Sequence, residues 1–201
     1  MRTLLITMIS VSILLSNAGW THAAPDKTWI ASLEKGERFE NDGFPYATLP
    51  TLFAIKTDAS GQQALKTNLS GNESDRFIQQ KGPFSLYEQA VSAKTASIRT
   101  LSKASAGDGF AYPAILNLKS QSLGVLTGKL WLKLKDLSDA DAIASDYALS
   151  LSFTNTALST AFYEVPKSAS VDLLALRTKL SNDPRVETVT LDMVDRIRQP
   201  M

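Results

Sequence analysis

One histidine and no cysteine limit the chemistry open to this chain. The histidine, His22, lies at the end of a segment expected to be cut away, so the mature protein is expected to have neither residue. That excludes a Ser-His-Asp or Cys-His nucleophile, a histidine metal triad, thiol redox chemistry and a cysteine zinc site. A Ser-Lys dyad, a carboxylate pair and carboxylate-bound Ca²⁺ survive the count. Asp136, Asp139, Asp141 and Asp146 are the densest carboxylates, but their spacing misses the EF-hand loop, and charge at a helix start accounts for them. Gly107-Asp108-Gly109 lacks the strand-helix context of a phosphate loop. Asn68-Leu69-Ser70 and Asn72-Glu73-Ser74 are glycosylation sequons, expected to be without consequence for a chain expected to be bacterial. No catalytic residue, metal or cofactor is expected, and the chain reads as a binding protein rather than an enzyme.

Two sets of residues remain that can bind. Trp131, Leu158 and Phe162 are large apolar residues pointing away from the apolar faces of their strands. Asp195, Arg196, Ile197, Arg198 and Gln199 belong to a polar end with no pattern that would fold it back.

The elements that must position them follow from periodicity. Leu130, Leu132 and Leu134 alternate with Trp131, Lys133 and Lys135, a strand with the leucines on one face. Ser138 is placed to cap a helix whose stripe is Ala140, Ile143, Ala144 and Tyr147. A second strand sets Leu149, Leu151 and Phe153 together, Asn155-Thr156 turns, and a third runs from Ala157 to Val165. Ser170 is placed to cap a second helix carrying Leu173, Leu176 and Leu180, which Asn182-Asp183-Pro184 stops. Val186 to about Met193 makes a fourth strand. The order β-α-β-β-α-β predicts an α+β, ferredoxin-like module, an antiparallel sheet with two helices on one face. Its other face, with Trp131, Leu158 and Phe162, either docks a partner or is covered by the preceding residues.

Upstream the signal is mixed. Gly43-Phe44-Pro45-Tyr46 reads as a turn, Leu52 to Lys56 as a short strand, and Ser85 to about Lys103 as a helix preceded by Gly82-Pro83. The expected division is a signal peptide at 1–23, a mixed α/β extension or subdomain at 24–126, the module at 127–194 and a tail at 195–201. The signal peptide rests on Arg2, the apolar run Leu4 to Leu15 and the small residues before Pro25. Cleavage after Ala23 fits best, with Ala18 an alternative. The run is too short for a permanent membrane span of ~20 residues. The expected location is the periplasm or the exterior of a Gram-negative bacterium, with no membrane attachment after cleavage. A formal net charge of +1 offers no basic field for nucleic acid.

The module resembles the subtilisin pro-domain family, which also occurs as free inhibitors. The likeness rests on the element order and on Asp183-Pro184-Arg185-Val186-Glu187-Thr188-Val189, and covers about one third of the chain. With a long extension before the module and no protease domain after it, the chain looks most similar to stand-alone external chaperones of subtilisin- or kexin-like serine proteases. The resemblance implies a partner that helps fold such a protease, docks its sheet there and inhibits by laying its tail in the substrate cleft. It places Arg198 at the specificity position, suiting a client that cuts after basic residues, with Pro200 hindering hydrolysis. A free inhibitor without a folding role, and a periplasmic structural or binding protein, are the alternative readings.

Overall fold

The structure, a computed structural model, describes residues 26–56, 76–88, 100–103, 110–166 and 171–195. Residues 1–25, where the signal peptide is expected, and residues 196–201 lie outside them.

Among the described residues eleven strands form one sheet in which every pairing is antiparallel. They are β1 (Arg38–Asn41), β2 (Phe44–Lys56), β3 (Arg76–Lys81), β4 (Phe84–Glu88), β5 (Thr100–Lys103), β6 (Phe110–Asn117), β7 (Ser122–Leu134), β8 (Ser150–Asn155), β9 (Thr160–Glu164), β10 (Val171–Asp172) and β11 (Val186–Val194). The main path runs β3-β4-β2-β6-β7-β9-β8, with β1 on β2, β11 on β7, and β5 joining β6 to β10. Three α-helices are described, all short: α1 (Lys27–Ser32), α2 (Ala140–Asp146) and α3 (Leu173–Ser181).

Two 13-residue strands hold the sheet together by changing partners along their length. The start of β2 lies between β1 and β6, and its end between β4 and β6. The start of β7 pairs with β6 and its end with β9, while β11 follows its other edge. Burial records the change. Leu123 to Leu126 are buried without alternation, as in a strand covered on both faces, whereas Lys129 to Leu134 alternate exposed and buried.

These pairings correct the expected fold class. The elements β7, α2, β8, β9, α3 and β11 follow in the expected order with the short β10 between β9 and α3, but they are not a ferredoxin-like domain beside a mixed α/β extension. The protein is a mostly antiparallel β structure, because β7 carries the sheet straight through the boundary drawn at 126/127 and pairs with strands from both halves.

Other expectations change for local reasons. The turn near residue 43 is Asp42-Gly43, both at positive φ as a tight hairpin requires, and Phe44 already begins β2. Gly82-Pro83 turns β3 into β4 rather than starting a helix. Phe84, Ser85 and Leu86 are buried because β4 is flanked by β2 and β3. The predicted helix from Ser85 to Lys103 is thus replaced by strands at both ends; its middle, 89–99, lies outside the described residues. The third strand starts at Thr160, since Thr156–Leu158 form a 3-10 turn closed by Ser159 at φ 49.

The helix starts also differ. Asp136 accepts from the Ser138 N–H at 2.9 Å and caps a 3-10 turn leading into α2. Asp172, not Ser170, caps α3, accepting from the Leu174 and Ala175 N–H groups at 3.0 and 3.1 Å; Ser170 lies outside the described residues.

The helices bury Ala140, Ile143, Leu173, Leu174, Leu176 and Leu180 in the same core as Leu130, Leu132, Leu134, Ala161, Tyr163 and Val189. Each fully buried leucine contributes about 2 kcal/mol from removal of apolar surface. Tyr163 donates to the Ala140 carbonyl at 3.1 Å, tying β9 to the start of α2, and burial pushes its phenol up to about 12.

Candidate partner-docking face

The face of β8-β9-β7-β11 opposite the helices is open at its centre. Trp131 is 39% exposed, Phe153 56% and Leu158 61%; Phe162 is half-buried. Registration explains how the aromatic residues meet. Trp131 pairs with Phe162 across β7 and β9, and Phe162 pairs with Phe153 across β9 and β8. Residues opposite each other in an antiparallel pair project from the same face. The Trp131 and Phe162 rings are edge to face at 5.7 Å, and Phe162 stacks on Phe153 at 4.1 Å.

Phe153 reaches this face through an irregularity. Leu151 pairs with Tyr163, on the buried side, and Phe153 with Phe162, so the register shifts between them. One extra residue in β8 turns Phe153 over. The alternation Leu149-Ser150-Leu151-Ser152-Phe153 placed Phe153 with the two leucines, and nothing in it signals a bulge. Sequence reasoning therefore missed the most exposed aromatic residue of the face.

Polar rows flank the aromatic one. On one side Ser150, Glu164 and Lys129 are in register; on the other, Asn155, Thr160, Lys133 and Thr188. Lys133 pairs with Glu187 at 2.7 Å. An apolar strip between polar borders has the anatomy of a protein-binding patch, dry at the centre and solvated at the rim. Leu158 is not in the row: it stands on the 3-10 turn between β8 and β9, its N–H donating to the Asn155 side chain at 3.3 Å.

The expected tail divides at Asp195. This residue is packed, its carboxylate accepting from the Tyr46 hydroxyl at 2.8 Å and the Asn117 side-chain amide at 3.3 Å. Arg196, Ile197, Arg198 and Gln199 lie outside the described residues.

The Asp183-Pro184-Arg185 segment is structural. The buried Asp183 carboxylate accepts from the Arg185 backbone N–H and Nε, both at 2.9 Å, from Arg185 Nη2 at 2.6 Å and from the Tyr147 hydroxyl at 3.0 Å. The Arg185 hydrogen bond foremost holds the Asp183 carboxyl well below the usual carboxylate range. Arg185 also pairs with Asp146 at 2.8 Å, linking the end of α2 to the turn after α3.

A cavity of about 330 Å³ lies elsewhere, lined by Asp26, Trp29, Arg76, Phe77 and Ile78. Its cation is already engaged, Arg76 lying over the Trp29 ring and pairing with Glu88 at 2.8 Å. Among the described residues no group of three or more His, Cys, Asp or Glu is arranged to hold a metal, and no helix is long and apolar enough to cross a membrane.

The family model described as the open reading frame 2 N-terminal domain matches residues 72–200, well over half of the chain. The chain belongs to that family. This overturns the resemblance to subtilisin pro-domains: the open reading frame 2 N-terminal domain is a different family, and its match begins far upstream of residue 127, where the pro-domain likeness started. The matched stretch includes β3 to β11, on both sides of the boundary drawn at 126/127. No curated protein and no solved structure matches the chain.

Proposed function

We propose that this protein is an exported intermolecular chaperone that helps a subtilisin-like serine protease to fold and then inhibits it. The carrying observation is the exposed Phe153-Phe162-Trp131 row between polar rows, on a sheet whose opposite face is closed by α2 and α3. Such a surface binds without reactive groups, which suits a chain with one histidine, His22, and no cysteine. A rigid aromatic plate can stabilise a slow, long-range packing step in a client, and a chaperone needs no more than that. A stable complex would bury on the order of 1,600 Å² in total, with the aromatic residues carrying most of the energy.

Inhibition is assigned to residues 196–201, which follow a strand and would enter the client's cleft by strand addition. The apolar run Leu4 to Leu15 supports export to the periplasm or beyond.

The test is refolding of a denatured subtilisin-like protease with and without this protein. A higher yield of active protease after later removal of the partner supports the proposal. Inhibition without a gain in yield reduces it to an inhibitor, and neither effect refutes it.

A further inference from the structure

The aromatic row has two open charges beside it. Lys129 and Glu164 stand opposite each other across β7 and β9, one row from Trp131 and Phe162. Lys129 is exposed and Glu164 half-buried, and among the described residues neither enters an ion pair. Lys133, one row to the other side, is already paired with Glu187. A free cation and a free carboxylate bordering an exposed apolar strip suit a surface that binds its own copy. A two-fold axis sets each residue of one chain against a different residue of the other, so one face can supply both halves of an ion pair.

The strand registers choose the arrangement. In the order β8, β9, β7, β11, the central row of the face is Phe153, Phe162, Trp131 and Thr190. Consider two such faces stacked about a two-fold axis that runs along the strands, midway between β9 and β7. Glu164 then stands over Lys129 of the second copy, and its own Lys129 under the other Glu164. The same axis lays Phe162 against Trp131 of the second copy and Phe153 against Thr190. On the far border Thr160 meets Lys133, and Asn155 meets Thr188. No like charges meet. An axis on β9 would set Glu164 on itself, one on β7 would set Lys129 on itself, and one across the strands would set Lys129 on Lys133. Of these four arrangements only the first turns the free charges into pairs.

We propose that this face closes on a second copy of the chain, in a face-to-face dimer held by the aromatic row and two Lys129–Glu164 pairs. Four strands about 4.8 Å apart, paired over about six residues, make a plate roughly 20 Å on a side. That is small beside the roughly 800 Å² per partner of a stable complex, so the dimer exchanges and its Kd is micromolar. Such a dimer covers the apolar row when no client is present and yields it to one that binds more tightly. The inference holds whatever that client is.

Sedimentation of the protein as its own cells hold it, from about 1 to about 100 µM, should show a monomer–dimer equilibrium. A monomer throughout overturns the proposal. Trp131→Ala should raise the dimer Kd at least about thirtyfold, since both copies lose an anchor. Glu164→Lys and Lys129→Glu should each raise it at least about tenfold by setting like charges together. Mixed in equal amounts, the two reversed chains should associate with each other about as tightly as the parent does, because each charge again meets its opposite. Mixing does not cure a defect inside either chain, so a mixture that stays monomeric overturns the proposal. Glu164→Gln puts no like charge beside Lys129; it should raise the Kd about threefold and carries the test should a reversal not fold. A dimer unchanged in all these variants uses another surface and also overturns the proposal. No protease enters these measurements, so their outcome is independent of the refolding test.

Discussion

The side-chain amide of Asn41 binds the backbone of Leu191 at both of its polar atoms, donating to the carbonyl at 3.1 Å and accepting from the N–H at 2.8 Å. It does for the outer edge of β11 what another strand would do, and it joins the β1–β2 hairpin to the end of the chain across 150 positions of sequence. The amide is buried. Asn41→Ala should therefore cost about 3 kcal/mol, since it leaves a buried donor and acceptor unmet. Urea unfolding followed by tryptophan fluorescence measures this, and a loss below about 1 kcal/mol would mean that water replaces the amide.

Trp131 and Phe153 separate binding from stability. Both are more than a third exposed, so Trp131→Ala and Phe153→Ser should shift the unfolding midpoint little. Affinity for the client protease should fall by about 2 kcal/mol or more per residue if these are central anchors. Calorimetric titration beside thermal unfolding reads both quantities. Unfolding of the variants with unchanged affinity in the folded fraction would assign the row to the core.

Acid stability should run through Asp183. Its folded pKa is depressed, chiefly by the Arg185 hydrogen bond, so its stabilisation is complete above the unfolded carboxylate value of about 4 and is lost as pH falls below that toward the folded value. Asp183→Asn should be less stable than wild type at neutral pH, and the gap should narrow steadily below about pH 4. Parallel stability curves would show that the carboxylate charge is not what the network uses.

The cap of α3 is a smaller, local test. Asp172→Ala removes the acceptor for the Leu174 and Ala175 N–H groups and should cost about 1 kcal/mol. Asp172→Asn should recover most of it. An Asp172→Ala variant as stable as wild type would show that the β5–β10 pairing, rather than the cap, holds this helix end.

What the sequence by itself determined was local. Leucine alternation at 130, 132 and 134 marks a strand, the stripes of α2 and α3 mark helices, and one histidine without cysteine removes whole classes of chemistry. These signals survive because each depends on neighbours within a turn or a pleat. Tertiary structure decided the rest. Which strands share a sheet depends on hydrogen bonds between distant residues, so the two long strands that change partners, and the mostly β character they impose, leave no periodic trace. The bulge that turns Phe153 outward depends on the register with β9, and the hydrogen bonds to Asp195 on side chains far earlier in the chain. A pattern of period two says that a residue has a face; only the partner strand says which face is left open.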